Sequence, residues 1–193
     1  MKIALDIGHM GKRSRPTDRG VTIANYRESD LVLDYTLVVF KHLESLGHTV
    51  YILSYDNYSK RKSFCDEVGI EVHIQCHINS AASVGRYARV LYREDNESES
   101  CKHLCEVISD KLIRWLGNKI SKAEVIELKG NERGYECLKN NIPSILFEPM
   151  FINNDNHLRF MLYENGLIMI GMALATAIHE WSTTLAVKEE PNG

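Results

Sequence analysis

The chain has 193 residues, of which 44% are hydrophobic and 25% are charged, and its formal net charge is −3. This length and composition are typical of one globular domain, and they exclude a fibrous or intrinsically disordered protein. The slightly negative charge provides no basic field for nucleic acid, so we expect no nucleic-acid partner.

Neither a membrane span nor a signal peptide is evident. The longest apolar run, residues 167–178, is much shorter than the roughly 20 residues that cross a bilayer, and it predicts a buried helix. The first eleven residues lack the apolar region of a signal peptide. We therefore expect a protein that is made in the cytoplasm and is not stably inserted in a membrane.

The five cysteines are odd in number and lack the paired spacing of a zinc finger, which predicts free thiols in a reducing compartment. Cys101 and Cys105, with His103 between them, would share one face of a helix. Because no second pair of ligands accompanies them, we prefer a structural role for both cysteines.

Predicted strands and helices alternate through the first half of the chain. Strands bounded by turn residues are expected over 2–7, 49–53 and 71–78. Apolar residues at three- and four-residue steps predict a helix over 28–46, which Gly47 terminates, and a second helix is expected over 58–68.

The second half continues this alternation. Strands are expected over 86–93, 123–128 and 143–147, and helices over 98–116, 155–163 and 165–181. Such a pattern predicts an α/β fold: a single domain with a twisted, mostly parallel (mixed) sheet flanked by helices on both faces. We place this domain at residues 1–181 and a polar C-terminal tail at residues 182–193.

Reactive side chains follow three of the predicted strands. His9 comes just after the first strand, His77 ends the third, and Glu148 directly follows the strand at 143–147. Glu28 begins the helix that returns from the loop after His9. Because sites in open α/β sheets lie beyond the carboxyl ends of the strands, we expect these four side chains to converge.

Two histidines and one glutamate are the open ligand set of hydrolytic zinc sites, in which water takes the fourth position. His9, Glu28 and His77 are therefore our predicted zinc ligands. Glu148 is the predicted base that takes a proton from the attacking water. Taken singly, each residue has an ordinary alternative, such as a hydrogen-bonded histidine or a glutamate that complements a helix dipole.

Their neighbouring sequences form an ordered pattern over roughly residues 2–180. It consists of IALDIGHMG with Asp18 and Gly20, then Glu28 with SDLVLDYTL, ESLGHTVYIL, QCHINS, and IPSILFEPMFINN. In this pattern the chain resembles the zinc-dependent N-acetylmuramoyl-L-alanine amidases (amidase type 3) of bacterial autolysins and phage endolysins. The resemblance implies peptidoglycan as substrate, zinc at His9, Glu28 and His77, and catalysis by Glu148.

The sequence departs from the family pattern at two positions, where Met10 and Met150 replace glycines and could reshape the groove. His73 lies on the same predicted strand face as His77. At about 3.3 Å per residue it is too far away to share one zinc ion, so we expect a structural role. The basic residues of the loop after Gly11 could attract stem-peptide carboxylates or could simply be solvated: Lys12, Arg13, Arg15, Arg19 and Arg27.

We predict a cell-wall amidase, encoded by a phage or prophage, that acts on the wall after release from the host cytoplasm. One alternative is a zinc carboxypeptidase-like peptidase, which would need a carboxylate anchor that the sequence does not locate. Another is a non-catalytic cell-wall binding module, which would need neither an open metal site nor a base.

Overall fold

The computed structural model describes residues 1–11, 17–54, 57–81, 85–95, 98–130 and 132–189. Its strands are β1 (Lys2–Ile7), β2 (Thr22–Ile23), β3 (Tyr26–Arg27), β4 (Thr49–Leu53), β5 (Val72–Cys76), β6 (Tyr87–Arg93), β7 (Lys122–Leu128) and β8 (Ser144–Glu148). Its helices are α1 (Glu28–Ser45), α2 (Tyr58–Val68), α3 (Ser98–Leu116), α4 (Asp155–Tyr163) and α5 (Gly166–Glu189), with a short 3-10 turn at Glu136–Leu138.

A mixed six-stranded sheet organises the domain, in the order β4-β1-β5-β8-β6-β7. Strands β4, β1, β5 and β8 are parallel, whereas β6 pairs with β8 in the antiparallel direction and β7 runs parallel to β6. The prediction of a single-domain α/β fold with a mostly parallel, mixed sheet is therefore confirmed. The carboxyl ends of β1, β5 and β8 lie side by side, which brings the residues that follow them together.

The two faces of the sheet are covered differently. Ile3, Leu5 and Ile7 of β1 alternate onto one face and join a large core that includes apolar residues of α1, α3 and α5. Ala4 points to the other face and packs with Cys65 of α2. Asp6 follows Ala4 on this second face, where Arg61 of α2 meets its carboxylate.

Helix α5 begins where the apolar pattern predicts but ends later than predicted. It continues past Trp181 to Glu189, and the polar residues that follow Trp181 are accommodated within the helix. The hydroxyls of Ser182, Thr183 and Thr184 each donate a 2.7 Å hydrogen bond to the carbonyl three residues earlier. The helix end predicted at residue 181 was wrong, while the domain boundary placed there stays a prediction.

Within the part of the chain that the structure describes, no helix taken alone is long and apolar enough to cross a bilayer. Helix α4 and residues 166–185 of α5 reach that length and composition only together, and they are bent by 86°. The apolar run at residues 167–178 lies in α5, where Ile170, Leu174 and Ile178 are fully buried.

Gly171 allows α5 to lie very close to α1. A Cβ atom at this position would come within 2.6 Å of Val38 Cβ and 2.8 Å of the backbone oxygen of Tyr35. Inside a helix, alanine is more favourable than glycine by about 1 kcal/mol, but a side chain forced into a packed core typically costs about 1–3 kcal/mol. The contact with backbone leaves little room for relaxation.

We therefore expect Gly171→Ala to lower the free energy of unfolding by about 1 kcal/mol or more, because the cost of overpacking exceeds the gain in helix propensity. Urea unfolding followed by circular dichroism measures this. Thr176→Ala, on the same helix but only half-buried, is the control and should leave stability nearly unchanged. A Gly171→Ala protein as stable as the wild type would contradict the close approach.

Candidate metal centre

His9 lies in the turn that follows β1. The backbone N–H of Gly8 donates to the carbonyl of Cys76 at 2.9 Å, which extends the pairing of β1 and β5 to the start of the turn. His9 itself has a left-handed backbone, with φ of +59°. Such a conformation is costly for a non-glycine residue and is characteristic of functional sites. The turn directs the imidazole to the rim of the sheet.

Glu28 is the first residue of α1, and the loop before it satisfies the start of the helix. The backbone N–H of Glu28 donates to Val21 O at 2.9 Å, and Val21 N–H donates to Glu28 Oε2 at 3.2 Å. Gly20 has φ of +69°, and a Cβ there would lie 2.4 Å from Glu28 Oε2. This glycine therefore allows the loop to pass closely over the carboxylate, which is only 3% exposed.

His77 follows the last residue of β5. Its N–H donates to Phe147 O at 2.9 Å, and its carbonyl accepts a 3.0 Å hydrogen bond from the Tyr35 hydroxyl on α1. Gly8 makes room for the ring, because a Cβ at Gly8 would lie 2.5 Å from His77 Cε1. Strand, helix and turn thus all constrain this histidine.

The three side chains meet around one oxygen. Glu28 Oε1 lies 3.0 Å from His77 Nδ1 and 3.6 Å from His9 Nε2, and one donor atom from each residue lies within 4.8 Å of the others. Ligand atoms about 2.0–2.1 Å from a tetrahedral zinc ion are roughly 3.3 Å apart, so this donor set fits the metal. Among the residues that the structure describes, this is the only such group of three or more.

Asp18 orients His9, a role that the sequence analysis did not assign. Its Oδ1 lies 2.9 Å from His9 Nδ1 and accepts from Gly20 N–H at 3.0 Å. The pairing leaves His9 Nε2 directed towards Glu28. Carboxylates commonly hold metal-binding histidines in this way. Asp18 was present in the matched family pattern, but its spacing from His9 alone does not reveal the contact.

The pKa values of the two carboxyl groups at the site are shifted in opposite directions. Burial raises the pKa of Glu28, but the hydrogen bond and charge of His77 and the charge of His9 hold it below its usual value. Burial raises the pKa of Glu148, and the positive charges of His77 and Arg89 only partly offset this. Glu28 is thus an anion suited to a cation, whereas Glu148 is a stronger base than an exposed glutamate.

A cavity of about 480 Å³ opens over these residues. Its lining includes His9, Glu28, His77 and Glu148, so the predicted site residues do share one cavity. Glu148 is the last residue of β8, because this strand extends one residue beyond its predicted end at residue 147. Arg89 of β6 is its direct antiparallel partner. Apolar and polar side chains complete the wall: Ile78, Leu91, Leu146, Asn79, Arg133 and Tyr58.

Several other residues singled out in the sequence either fall outside the described residues or do not line this cavity. Lys12, Arg13 and Arg15 fall outside the described residues, and Arg19 and Arg27 are not among the lining residues. Cys101 and Cys105 are buried thiols that take part in no disulfide, like the other three cysteines. Met10 packs against the core and Met150 is fully buried, so neither methionine lines the groove that it was expected to reshape.

Comparison with known proteins agrees with this geometry. The sequence model of the N-acetylmuramoyl-L-alanine amidase family matches residues 3–180. No curated protein sequence gives a significant match.

Solved structures with the same fold come from several sources. The CwlD amidase of Clostridioides difficile, solved with the GerS lipoprotein, has a TM-score of 0.78 at 22% identity, covering 95% of this chain and 98% of that one. Ami1 of Mycobacterium smegmatis has a TM-score of 0.78 at 18% identity, with 95% and 97% covered. The catalytic domain of the CD27L endolysin, which targets Clostridia Difficile, has a TM-score of 0.67 at 18% identity, with 93% and 97% covered.

The family match covers almost the whole domain, including all four predicted site residues. The family is generally zinc-dependent, which agrees with the donor set at the rim of the sheet. This chain therefore belongs to the N-acetylmuramoyl-L-alanine amidases, hydrolases that degrade the peptidoglycan of the cell wall.

Proposed function

We propose that this chain hydrolyses the amide between N-acetylmuramic acid and L-alanine in peptidoglycan with zinc held by His9, Glu28 and His77 and with Glu148 as the base. The observation that carries the proposal is the convergence of three donor atoms within 4.8 Å in the cavity that Glu148 also lines. We further propose that it acts on the bacterial wall after release from the cytoplasm, as a phage or prophage enzyme.

Zinc, when bound, polarises the scissile carbonyl and lowers the pKa of a water molecule towards about 7. Glu148 then accepts a proton from the water oxygen that attacks the carbonyl carbon. The same carboxyl group can return this proton to the amide nitrogen as the carbon–nitrogen bond breaks. Burial favours the first step, because it raises the pKa of Glu148 and makes the carboxylate a better base.

The peptidase alternative depends on a carboxylate anchor in the cavity. Arg89 lines it, but its Nε donates to Glu124 Oε2 at 3.2 Å and its Nη2 donates to the Tyr87 hydroxyl at 3.0 Å. Arg133 lies on the exposed rim. The family match favours the amidase. The half-buried carboxyl group of Glu148, whose pKa is raised, argues against a module that only binds the wall.

We expect Glu148→Gln to bind zinc like the wild type but to lose at least about a hundredfold in kcat, because general-base catalysis typically contributes about 10²–10⁴-fold. Release of new L-alanine amino termini from purified peptidoglycan measures the activity, and metal analysis measures zinc. Glu136→Gln, at the exposed edge of the same cavity, is the matched control and should retain activity. Wild-type turnover by the Glu148 variant would remove it from the mechanism.

We expect His77→Ala to lose both zinc and hydrolysis, because only two protein ligands remain. His103→Gln is the histidine control, at a half-buried position on α3 that does not line the cavity, and it should still bind zinc. Chelator treatment of the wild type should abolish amino-terminus release, and added zinc should restore it. Full activity after verified metal removal would refute the zinc proposal.

A further inference from the structure

A second buried polar cluster lies beside the metal centre, on the sheet face that α2 covers. It contains Asp6 of β1, Arg61 of α2 and His73 of β5, which are between 0% and 4% exposed. We propose that Arg61 is a positioning residue for the metal centre, whose guanidinium fixes the turn that presents His9. This inference rests on the proposed zinc site.

The contacts of Arg61 bracket His9 in the chain. Its Nη1 forms a close ion pair with Asp6 Oδ1, three residues before His9, and its Nη2 donates to the carbonyl of Met10 at 3.1 Å, one residue after. A guanidinium holds its donors in a rigid planar fork and can bind two fixed acceptors at once. Arg61 therefore ties both ends of the turn to α2.

This turn has few other backbone restraints among the described residues. Gly8 N–H bonds to Cys76 O at 2.9 Å, while the hydrogen bond that closes the turn, from Met10 N–H to Ile7 O, is long at 3.4 Å. The left-handed conformation of His9 persists only when its surroundings enforce it. The bond from Arg61 to Met10 O supplies such a restraint directly after the strained residue.

The charge of the cluster also favours a geometric role. A buried ion pair contributes little net stability, since both charges lose their hydration, and well-packed apolar residues often serve as well. Burial raises the pKa of Asp6, but His73 and Arg61 together hold it below its usual value, so the carboxylate is ionised opposite the guanidinium. An ionised pair fixes direction and distance, which apolar packing does not.

The cluster also reaches the strand that carries His77. His73 Nε2 lies 3.5 Å from Asp6 Oδ2, and His73 Nδ1 is 2.9 Å from Asn140 Nδ2, which also donates to Ser144 Oγ on β8 at 3.0 Å. These contacts agree with a structural role for His73, which links Asp6 of β1 to Asn140. The polar cluster thus touches both strands that precede the histidine ligands, and backbone pairing joins these strands directly.

The direct test replaces Arg61 with lysine, which keeps the positive charge opposite Asp6 but lacks the two-pronged guanidinium. We expect Arg61→Lys to fold and to bind zinc about 10–100-fold more weakly, as for other residues that orient metal ligands. Competition with a chelator gives the zinc dissociation constant. The visible absorption spectrum of the cobalt-substituted protein should also change, since it reports the ligand geometry directly.

Leu112→Ala provides a control for simple loss of stability. Leu112 is fully buried in α3, which does not line the site cavity, so its truncation should lower the unfolding midpoint without changing zinc affinity or the cobalt spectrum. If Arg61→Lys does not fold, the double variant Asp6→Asn with Arg61→Gln removes both charges together. It should show the same weakening of zinc binding.

The outcomes separate this inference from the proposed function. A wild-type protein that binds no zinc overturns both. If the wild type binds zinc and a folded Arg61→Lys or double variant binds it equally well, with an unchanged cobalt spectrum, Arg61 has no positioning role and the zinc proposal stands.

Discussion

The candidate metal centre depends on one buried carboxylate placed between two imidazoles. Glu28 Oε1 is 3.0 Å from His77 Nδ1 and 3.6 Å from His9 Nε2, and the side chain is almost completely buried. A buried anion is costly unless hydrogen bonds or a cation compensate for it. Three segments supply the groups that compensate the charge of Glu28: the loop at Gly20 supplies a backbone N–H, and the turn after β1 and the end of β5 supply the imidazoles of His9 and His77.

The sheet is the feature that the sequence predicts best. Short apolar runs such as residues 145–147 are consistent with buried strands, and the alternation with helices predicts parallel pairing. The antiparallel pairing of β6 with β8 could not be read from the pattern, because apolar periodicity carries no information about strand direction. The end of α5 was misplaced for a related reason, since hydroxyl side chains that favour loops can also bond to their own helix.

The same limit applies to the site. His9, Glu28, His77 and Glu148 were predicted from their positions at strand and helix ends, where topology makes side chains converge, together with the family pattern around them. Asp18 and Arg61 act through contacts between distant segments, and no local pattern in the sequence predicts which atoms they meet. Arg89 was also missed, because its place beside Glu148 depends on the antiparallel register of β6.

The central claim is that His9, Glu28 and His77 bind one zinc ion, and anomalous X-ray diffraction at the zinc absorption edge tests it most directly. In crystals of the zinc-loaded protein, the account predicts one strong peak within about 2.0–2.2 Å of a donor atom from each of the three residues. A zinc peak that is bound elsewhere, or that contacts only one of them, would contradict it.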